Sequence, residues 1–279
     1  MSIILLTLVL LQNTAATYSA ANADFEAGRW ADAAGKYEMV LREDAAHIPS
    51  RFNLAVCYTK LGDIDRAIAT YRTLLALDDS VSEAHTNLAL LLDQTGKHDE
   101  AREQKTKARE YLEKALSADP HNVNVRKQLA ATYFDDKDYR KAVPILVEIV
   151  QSEPANVDYL YLLGKSYEQL KAYPQAAAVL QQAVRIKPDY LEAYSTLGVV
   201  FYAQEDWQRA AQAMSRVVEL KPMDALAHFV FATCLDKLGN AKEAIVQYNK
   251  FLELDDGSSD ARSFQARQRA KTLERRLKR

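Results

Sequence analysis

The chain has 279 residues, 48% apolar and 27% charged, with 36 basic against 38 acidic side chains and a formal net charge of −2. This is the composition of a folded protein with a sizeable core; eight glycines and seven prolines are too few for a disordered or collagen-like chain, and the bulk charge does not make it a nucleic-acid binder. The charge is unevenly placed, because residues 260–279 hold eight Lys/Arg against two acids, a net of +6, which leaves −8 on the other 259.

Residues 1–16, MSIILLTLVLLQNTAA, contain a nearly unbroken apolar run at 3–11. It is too short to span a bilayer, which takes about 20 residues. Two readings stand. One is a secretory signal peptide, with small residues at Ala15/Ala16 and a small-x-small site at Ala21-Asn22-Ala23. The other is an apolar N-terminal cap on the helices that follow. No Lys or Arg precedes the run, and a cut after Ala23 would destroy the first helix of the first repeat. The first reading places the protein in an exported compartment, periplasmic or secreted; the second leaves it cytoplasmic.

From residue 14 onward an apolar pattern recurs every 34 residues. Its clearest copy is 191–224. There Tyr194, Leu197, Gly198 and Phe201 fall at i, i+3, i+4 and i+7, one face of a helix. Gln204-Glu205-Asp206 interrupts the run, and Trp207, Ala210, Ala211, Met214, Val217, Val218 and Leu220 restart it with helical spacing. Lys221-Pro222 ends it, since proline cannot continue the ladder and disfavours helix in the residue before it. The pattern predicts a helix hairpin in which Gly198 and Ala210 are small residues that let the two axes approach. A single hairpin cannot bury both apolar faces, so it has to stack on neighbours.

The other copies run 14–47, 48–81, 82–122, 123–156, 157–190 and 225–258. The turns are readable as Ala27-Gly28-Arg29, Leu61-Gly62-Asp63, Thr95-Gly96-Lys97, Asp136-Lys137-Asp138 and Leu238-Gly239-Asn240. The unit at 82–122 is seven residues too long, and its closing Pro120 comes late. Ala101, Lys105, Ala108, Leu112 and Ala115 continue one helical face, because seven residues are close to two turns. One long second helix is expected there, over about 99–118, with the charged AREQKTKARE as the added part. Residues 259–279 read as a final capping helix with a thin stripe of Phe264, Ala270, Leu273 and Leu277. Its basic character also suits an acidic protein, an anionic lipid or, more weakly in the absence of interleaved aromatics, nucleic acid.

Catalysis finds no candidate. The five histidines, His47, His85, His98, His121 and His228, form no metal-ligand spacing, and His85 and His228 occupy slots where other units place an aromatic ring. There is no phosphate-cradling glycine loop and no Gly-x-Ser-x-Gly elbow. The acid pairs Asp78-Asp79 and Asp255-Asp256 fall at repeat ends. Cys57 and Cys234 take the equivalent inward position five repeats apart, which argues for two buried free thiols. No catalytic residue, metal site or cofactor is expected.

The pattern aromatic-x2-Leu-Gly-x2-aromatic, then Ala-x3-large apolar, then Pro, resembles the tetratricopeptide repeat. Tyr194, Leu197, Gly198, Phe201, Ala210, Met214 and Pro222 match it in turn, and seven units in phase cover 14–258. The resemblance implies an all-α, right-handed superhelical solenoid of about seven helix hairpins with a C-terminal capping helix. It also implies a non-catalytic scaffold that binds a protein or extended peptide in the concave groove lined by first helices. The groove positions are then Tyr18, Asn22, Phe52, Asn53, Val56, Asn87, Leu90, Lys127, Gln128, Phe134, Tyr161, Lys165, Val199, Tyr202 and Phe229, with Phe25, Thr86, Glu168, Ser195, Thr233 and Asp236 beside them. So aromatic a stripe suits peptide anchoring, or rings that pack between adjacent helices. The Lys/Arg clamp of chaperone-tail binders is absent: Asn22 and Asn53 match its two asparagines, but Tyr18, Glu83 and Asn87 stand at the basic positions. A short backbone-gripping ladder of Asn53, Asn87 and Gln128 remains open, broken by Leu162, Thr196 and Val230. The alternative function is an exported envelope-assembly or biogenesis factor. It would dock through the basic C-terminal helix, with membrane contact there or at the N-terminal apolar run.

Overall fold

The computed structural model describes residues 3–255 and 260–278, and side chains from residue 14 to 255 and from 261 to 278. The side chains of the apolar run at 3–11, Asp256 and the junction at 258–259 lie outside what is described. Among the described residues the chain is entirely helical, with fifteen helices: α1 (Ile3–Glu26), α2 (Trp30–Glu43), α3 (Ile48–Lys60), α4 (Ile64–Leu77), α5 (Ser82–Gln94), α6 (His98–Ala118), α7 (Val123–Asp135), α8 (Tyr139–Ser152), α9 (Val157–Gln169), α10 (Tyr173–Ile186), α11 (Leu191–Ala203), α12 (Trp207–Leu220), α13 (Ala225–Lys237), α14 (Ala241–Leu254) and α15 (Asp260–Leu277). They fall into two compact units, Met1–Val125 and Arg126–Arg279.

In the first unit each helix from α1 to α6 packs on the next, and α1 also touches α3. In the second, α8 through α15 do the same, and α9 also touches α11. The hairpins share one construction. Gly28, Gly62, Gly96, Lys137, Lys171, Glu205 and Gly239 stand one per turn, all at positive φ between 58° and 81°. That left-handed residue lets the next N–H fold back five residues: Arg29 to Asp24 O (2.8 Å), Lys97 to Leu92 O (2.8 Å) and Asp206 to Phe201 O (2.9 Å). Asp63, Asp138 and Asp206 then cap the second helices by accepting from Arg66, Lys141 and Arg209 N–H. In each second helix one alanine sits at the crossing point: Ala33, Ala67, Ala101, Ala142, Ala176, Ala210 and Ala244 are all fully buried.

The facing first helix is equally small there. Ala21, Ala55, Ala89, Ala130 and Ala232 are fully buried, and the slot is glycine at 164 and 198. A Cβ on Gly164 would lie 2.5 Å from Leu180 Cγ, and one on Gly198 would overlap Met214 Cε, so these two crossings are closer than an alanine permits. Met214, rather than Ala210, is the side chain for which Gly198 makes room.

Helix α6 is 21 residues long where α4 has 14. Gly96, Ala101 and Ala108 repeat the places of Gly62, Ala67 and Leu74, so register is kept from the turn and the surplus lies at the C-terminal end, about 112–118, rather than within AREQKTKARE. The buried face stops at Leu112; Ala115 is exposed, and Lys105 turns its ammonium to Asp93. Tyr111, at the start of the surplus, donates to Asp79 Oδ2 (2.6 Å) and stacks on His85 with ring centroids 5.7 Å apart.

Candidate functional site

The first helices of the first unit carry a polar layer held by tyrosines of the second helices. Tyr37 lies on α2, fully buried, with its ring edge against Phe25. Its hydroxyl donates to Asn22 Oδ1 (2.7 Å) and accepts from Asn53 Nδ2 (3.1 Å), and Asn53 Nδ2 is also 3.5 Å from Asn22 Oδ1. One repeat later Asn87 Nδ2 donates to the Tyr71 hydroxyl (3.1 Å). Asn22 and Asn53 hold different places in their helices, and the tyrosine hydroxyl is what brings them together. Burial pushes the Tyr37 and Tyr71 phenols up to about 12, so both stay neutral hydroxyls over the ordinary pH range.

These bonds occupy the amide nitrogens of Asn53 and Asn87 and leave both Oδ1 atoms without a protein partner among the described residues. An open side-chain carbonyl accepts an N–H. Beside them lie half-buried Phe52 and Val56 on α3 and Leu90 on α5, the last 59% exposed. Phe52 rests edge-on against Tyr71 (6.0 Å) and Tyr18 edge-on against His47 (4.8 Å), while Tyr18 and Tyr37 meet at a tilt, 6.1 Å apart.

In the second unit the corresponding positions are mostly engaged. Lys127 pairs with Glu153 (2.5 Å) and lies over the Tyr159 ring, and Lys165 pairs with Glu168 (2.8 Å). Phe134 packs on Tyr139, Tyr161 on Tyr190 (5.5 Å), and Phe229 on both Tyr248 and Phe251. Gln128 is half-buried, and its backbone carbonyl accepts from Thr132. Val199 and Tyr202 on α11 stand out, 47% and 38% exposed, with Tyr202 edge-on to Trp207 (5.1 Å). The aromatic rings therefore find partners chiefly on second helices and interhelical loops, and of the apolar positions expected to line a groove Leu90, Val199 and Tyr202 are the exposed ones.

Two arrangements escape a reading by periodicity. Asp24, nearly buried, takes both Arg29 and Lys36, and those hydrogen-bonded cations hold its carboxyl below the usual range. Asp236 receives a two-pronged bond from Arg269 of the capping helix, at 2.7 and 2.8 Å. An acid at an inward slot is the sequence signal for each, but the partner comes from elsewhere in the chain. His85 and His228 are packed: each places Nδ1 2.7 Å from a glutamine, Gln104 or Gln247, and donates from Nε2 to a loop carbonyl at 2.9 Å, that of Asp79 or Pro222. Cys57 and Cys234 are buried free thiols, raised by burial to about 11. Among the described residues no cluster of His, Cys, Asp and Glu is placed to hold a metal, and no helix is long and apolar enough to cross a membrane.

Tetratricopeptide repeat family models match residues 24–90 and 195–259, a TPR repeat model matches 169–205, and a model for the anaphase-promoting complex, cyclosome, subunit 3 matches 102–183. No curated protein sequence matches the chain. Among solved structures, the C-terminal part of a TPR repeat-containing protein from Cytophaga hutchinsonii is 17% identical, with a TM-score of 0.62 over 88% of this chain and 97% of that one. PilF of Pseudomonas aeruginosa is 21% identical, with a TM-score of 0.57 over 80% and 98%. YrrB, described as a TPR protein with an unusual peptide-binding site, is 19% identical, with a TM-score of 0.54 over 68% and 95%. At these identities the likeness is one of fold.

Proposed function

The chain belongs to the tetratricopeptide repeat family, and from that premise we propose that it is a non-catalytic scaffold whose first helices hold an extended segment of a partner protein. The observation that carries this reading is the pair of asparagines on α3 and α5. Asn53 and Asn87 are fixed by Tyr37 and Tyr71 with their Oδ1 atoms left open, next to Phe52, Val56 and the exposed Leu90. An extended backbone offers N–H groups to such acceptors, while alternate side chains reach apolar neighbours. Asparagine fixed in advance loses little further freedom on binding. Val199 and Tyr202 are the corresponding apolar contacts proposed for the second unit.

The test is affinity capture with mass spectrometry, comparing wild type with Asn87→Ala/Leu90→Glu and with Val199→Glu/Tyr202→Ser. The first pair is expected to lose the partners recovered by wild type at unchanged helical content. Full recovery by both double variants would refute a groove reading.

A second reading, an exported envelope-assembly factor that docks through α15, is favoured by the cations on that helix's outer side. Deleting 262–279 without effect on recovery of partners or membranes counts against it. Export belongs to this reading, and the apolar run at 3–11 supports it. Cleavage after Ala16 would leave the buried Ala21 in place, whereas cleavage after Ala23 would remove it. N-terminal sequencing of the natural protein tests this, and a chain that still begins at Met1 or Ser2 refutes it.

A further inference from the structure

Helix α15 is fastened to its unit along one side. Ala266, Ala270 and Leu273 are buried in a cluster with Ala232, Leu235, Tyr248 and Phe251, and Arg269 grips Asp236 through two nitrogens. These contacts fix how the helix is turned. On the opposite side Phe264, Gln268, Lys271 and Arg275 follow at i, i+4, i+7 and i+11, one continuous ridge. Arg267 and Lys278 flank it, both exposed, and Glu274 is the one acid between 261 and 278.

We propose that this ridge docks the protein on an anionic phospholipid bilayer, which gives the docking helix of the second reading its chemistry and rests on that reading. Three observations choose this occupant. The first is charge: residues 260–279 carry +6 while the rest of the chain carries −8, so an anionic surface is drawn to this helix and repelled elsewhere. The second is shape. From Arg267 to Lys278 the cations lie along about 16 Å of one convex helix. A bilayer needs only such a line of contact, whereas an acidic peptide would find no walls to enclose it. The third is Phe264, 64% exposed on the same ridge as the cations. A ring there reaches the acyl boundary while Lys271 and Arg275 hold headgroup phosphates. A nucleic acid would offer the phosphates but would call for several stacking rings along the strand, and the ridge has one.

The experiment is co-sedimentation of the full chain with phosphatidylglycerol/phosphatidylcholine vesicles and with pure phosphatidylcholine vesicles. The variants are Lys271→Gln/Arg275→Gln and Phe264→Ser, each checked for helical content. Wild type is expected to bind the anionic vesicles selectively. At about fivefold per cation the double variant should lose about thirtyfold in partitioning. Added salt should weaken the wild-type interaction, because exposed charges are screened beyond about 8 Å at physiological ionic strength. Equal binding to both vesicle types, or salt-insensitive binding by wild type, overturns the proposal without any variant. So does a folded double variant that binds as wild type does. Sedimentation without vesicles, which reports a second copy as the occupant, or tighter binding to transfer RNA than to anionic vesicles, overturns it in favour of those partners. Absent vesicle binding combined with loss of a protein partner on deleting 262–279 would reject the lipid and keep the docking helix.

Discussion

Gly35, Gly164 and Gly198 all lie inside helices, so one substitution, glycine to alanine, probes three environments. In an open helix interior the change stabilises by about 1 kcal/mol, because alanine surrenders less backbone freedom. A Cβ added at Gly35 on α2 would meet no heavy atom within 4 Å, so Gly35→Ala should show the whole of that gain. At Gly164 the new methyl would stand 2.5 Å from Leu180 Cγ and 2.7 Å from its Cδ2, and Leu180 is itself fully buried. Overpacking of that kind costs about 1–3 kcal/mol, so Gly164→Ala should range from about neutral to a loss of about 2 kcal/mol after the helix gain. Gly198 is intermediate, because the atom in the way is the terminal methyl of a flexible methionine, with Met214 Cγ and Sδ at 3.2 Å. The assay is urea unfolding read from one tryptophan per unit: Trp30 in a Trp207→Phe background, and Trp207 in a Trp30→Phe background. Each unit then has its own fluorescent reporter. Leu180→Ala should cost less alongside Gly164→Ala than alone, since the added methyl occupies part of the space vacated. Gly164→Ala stabilising as much as Gly35→Ala, or strict additivity with Leu180→Ala, would refute the close-crossing argument.

Two further outcomes follow from the same geometry. Lys171 holds the positive-φ turn position that Gly28, Gly62, Gly96 and Gly239 fill elsewhere; a non-glycine residue there costs about 1–2 kcal/mol, so Lys171→Gly should raise the second unit's urea midpoint, and a fall would show that the Lys171 side chain matters more than its backbone. The Tyr37 and Tyr71 phenols are raised from 10.0 to about 12 in the folded chain; the stability they contribute is fully present below pH 10 and lost as pH rises through 12, because the unfolded chain ionises first. The first unit's midpoint should therefore fall across that window, and less so in Tyr37→Phe/Tyr71→Phe; an equal fall in the double variant assigns the alkaline loss to other groups.

Much of the scaffold is legible in the sequence, since it depends on contacts between nearby residues. The buried alanines and the turn glycines are visible as a 34-residue spacing, and the spacing also marks Lys137, Lys171 and Glu205, whose residue types alone give no hint of a left-handed backbone. The long α6 is visible by length, but the place of its surplus is not, because register is carried forward from the turn and apolar residues continue on both sides of it. The groove is harder. Periodicity says which face a ring such as Phe52 or Tyr161 occupies, yet what covers it is Tyr71 on a second helix or Tyr190 in an interhelical loop. The pairing of Arg269 with Asp236 joins residues 33 apart and leaves no local pattern.

The break in the asparagine ladder has a physical cause in the second helices. Four residues after the buried Ala33 and Ala67 the first unit has Tyr37 and Tyr71, and sixteen residues beyond those come Asn53 and Asn87, their hydrogen-bond partners; after Ala101 the slot is Lys105, which turns to Asp93. In the second unit Tyr248 fills the slot of the last hairpin and lies 3.4 Å from Asp236, but the three hairpins before it have Leu146, Leu180 and Met214, and sixteen residues on stand Leu162, Thr196 and Val230. No hydroxyl is present to satisfy an asparagine there, and a half-buried amide without a partner is costly. Val230 instead joins the apolar cluster of Met214, and Thr196 donates its hydroxyl to its own helix at Glu192 O, 2.8 Å away. Leu180 and Met214 in turn reach the glycines at 164 and 198, which a tyrosine hydroxyl has no need to do. At Leu180 and Met214 one slot on the second helix thus bears on two properties at once, how closely the hairpin crosses and whether the neighbouring first helix can present a polar group. On that account the fixed amide acceptors belong to the first unit, and the second is left with apolar contacts at Val199 and Tyr202.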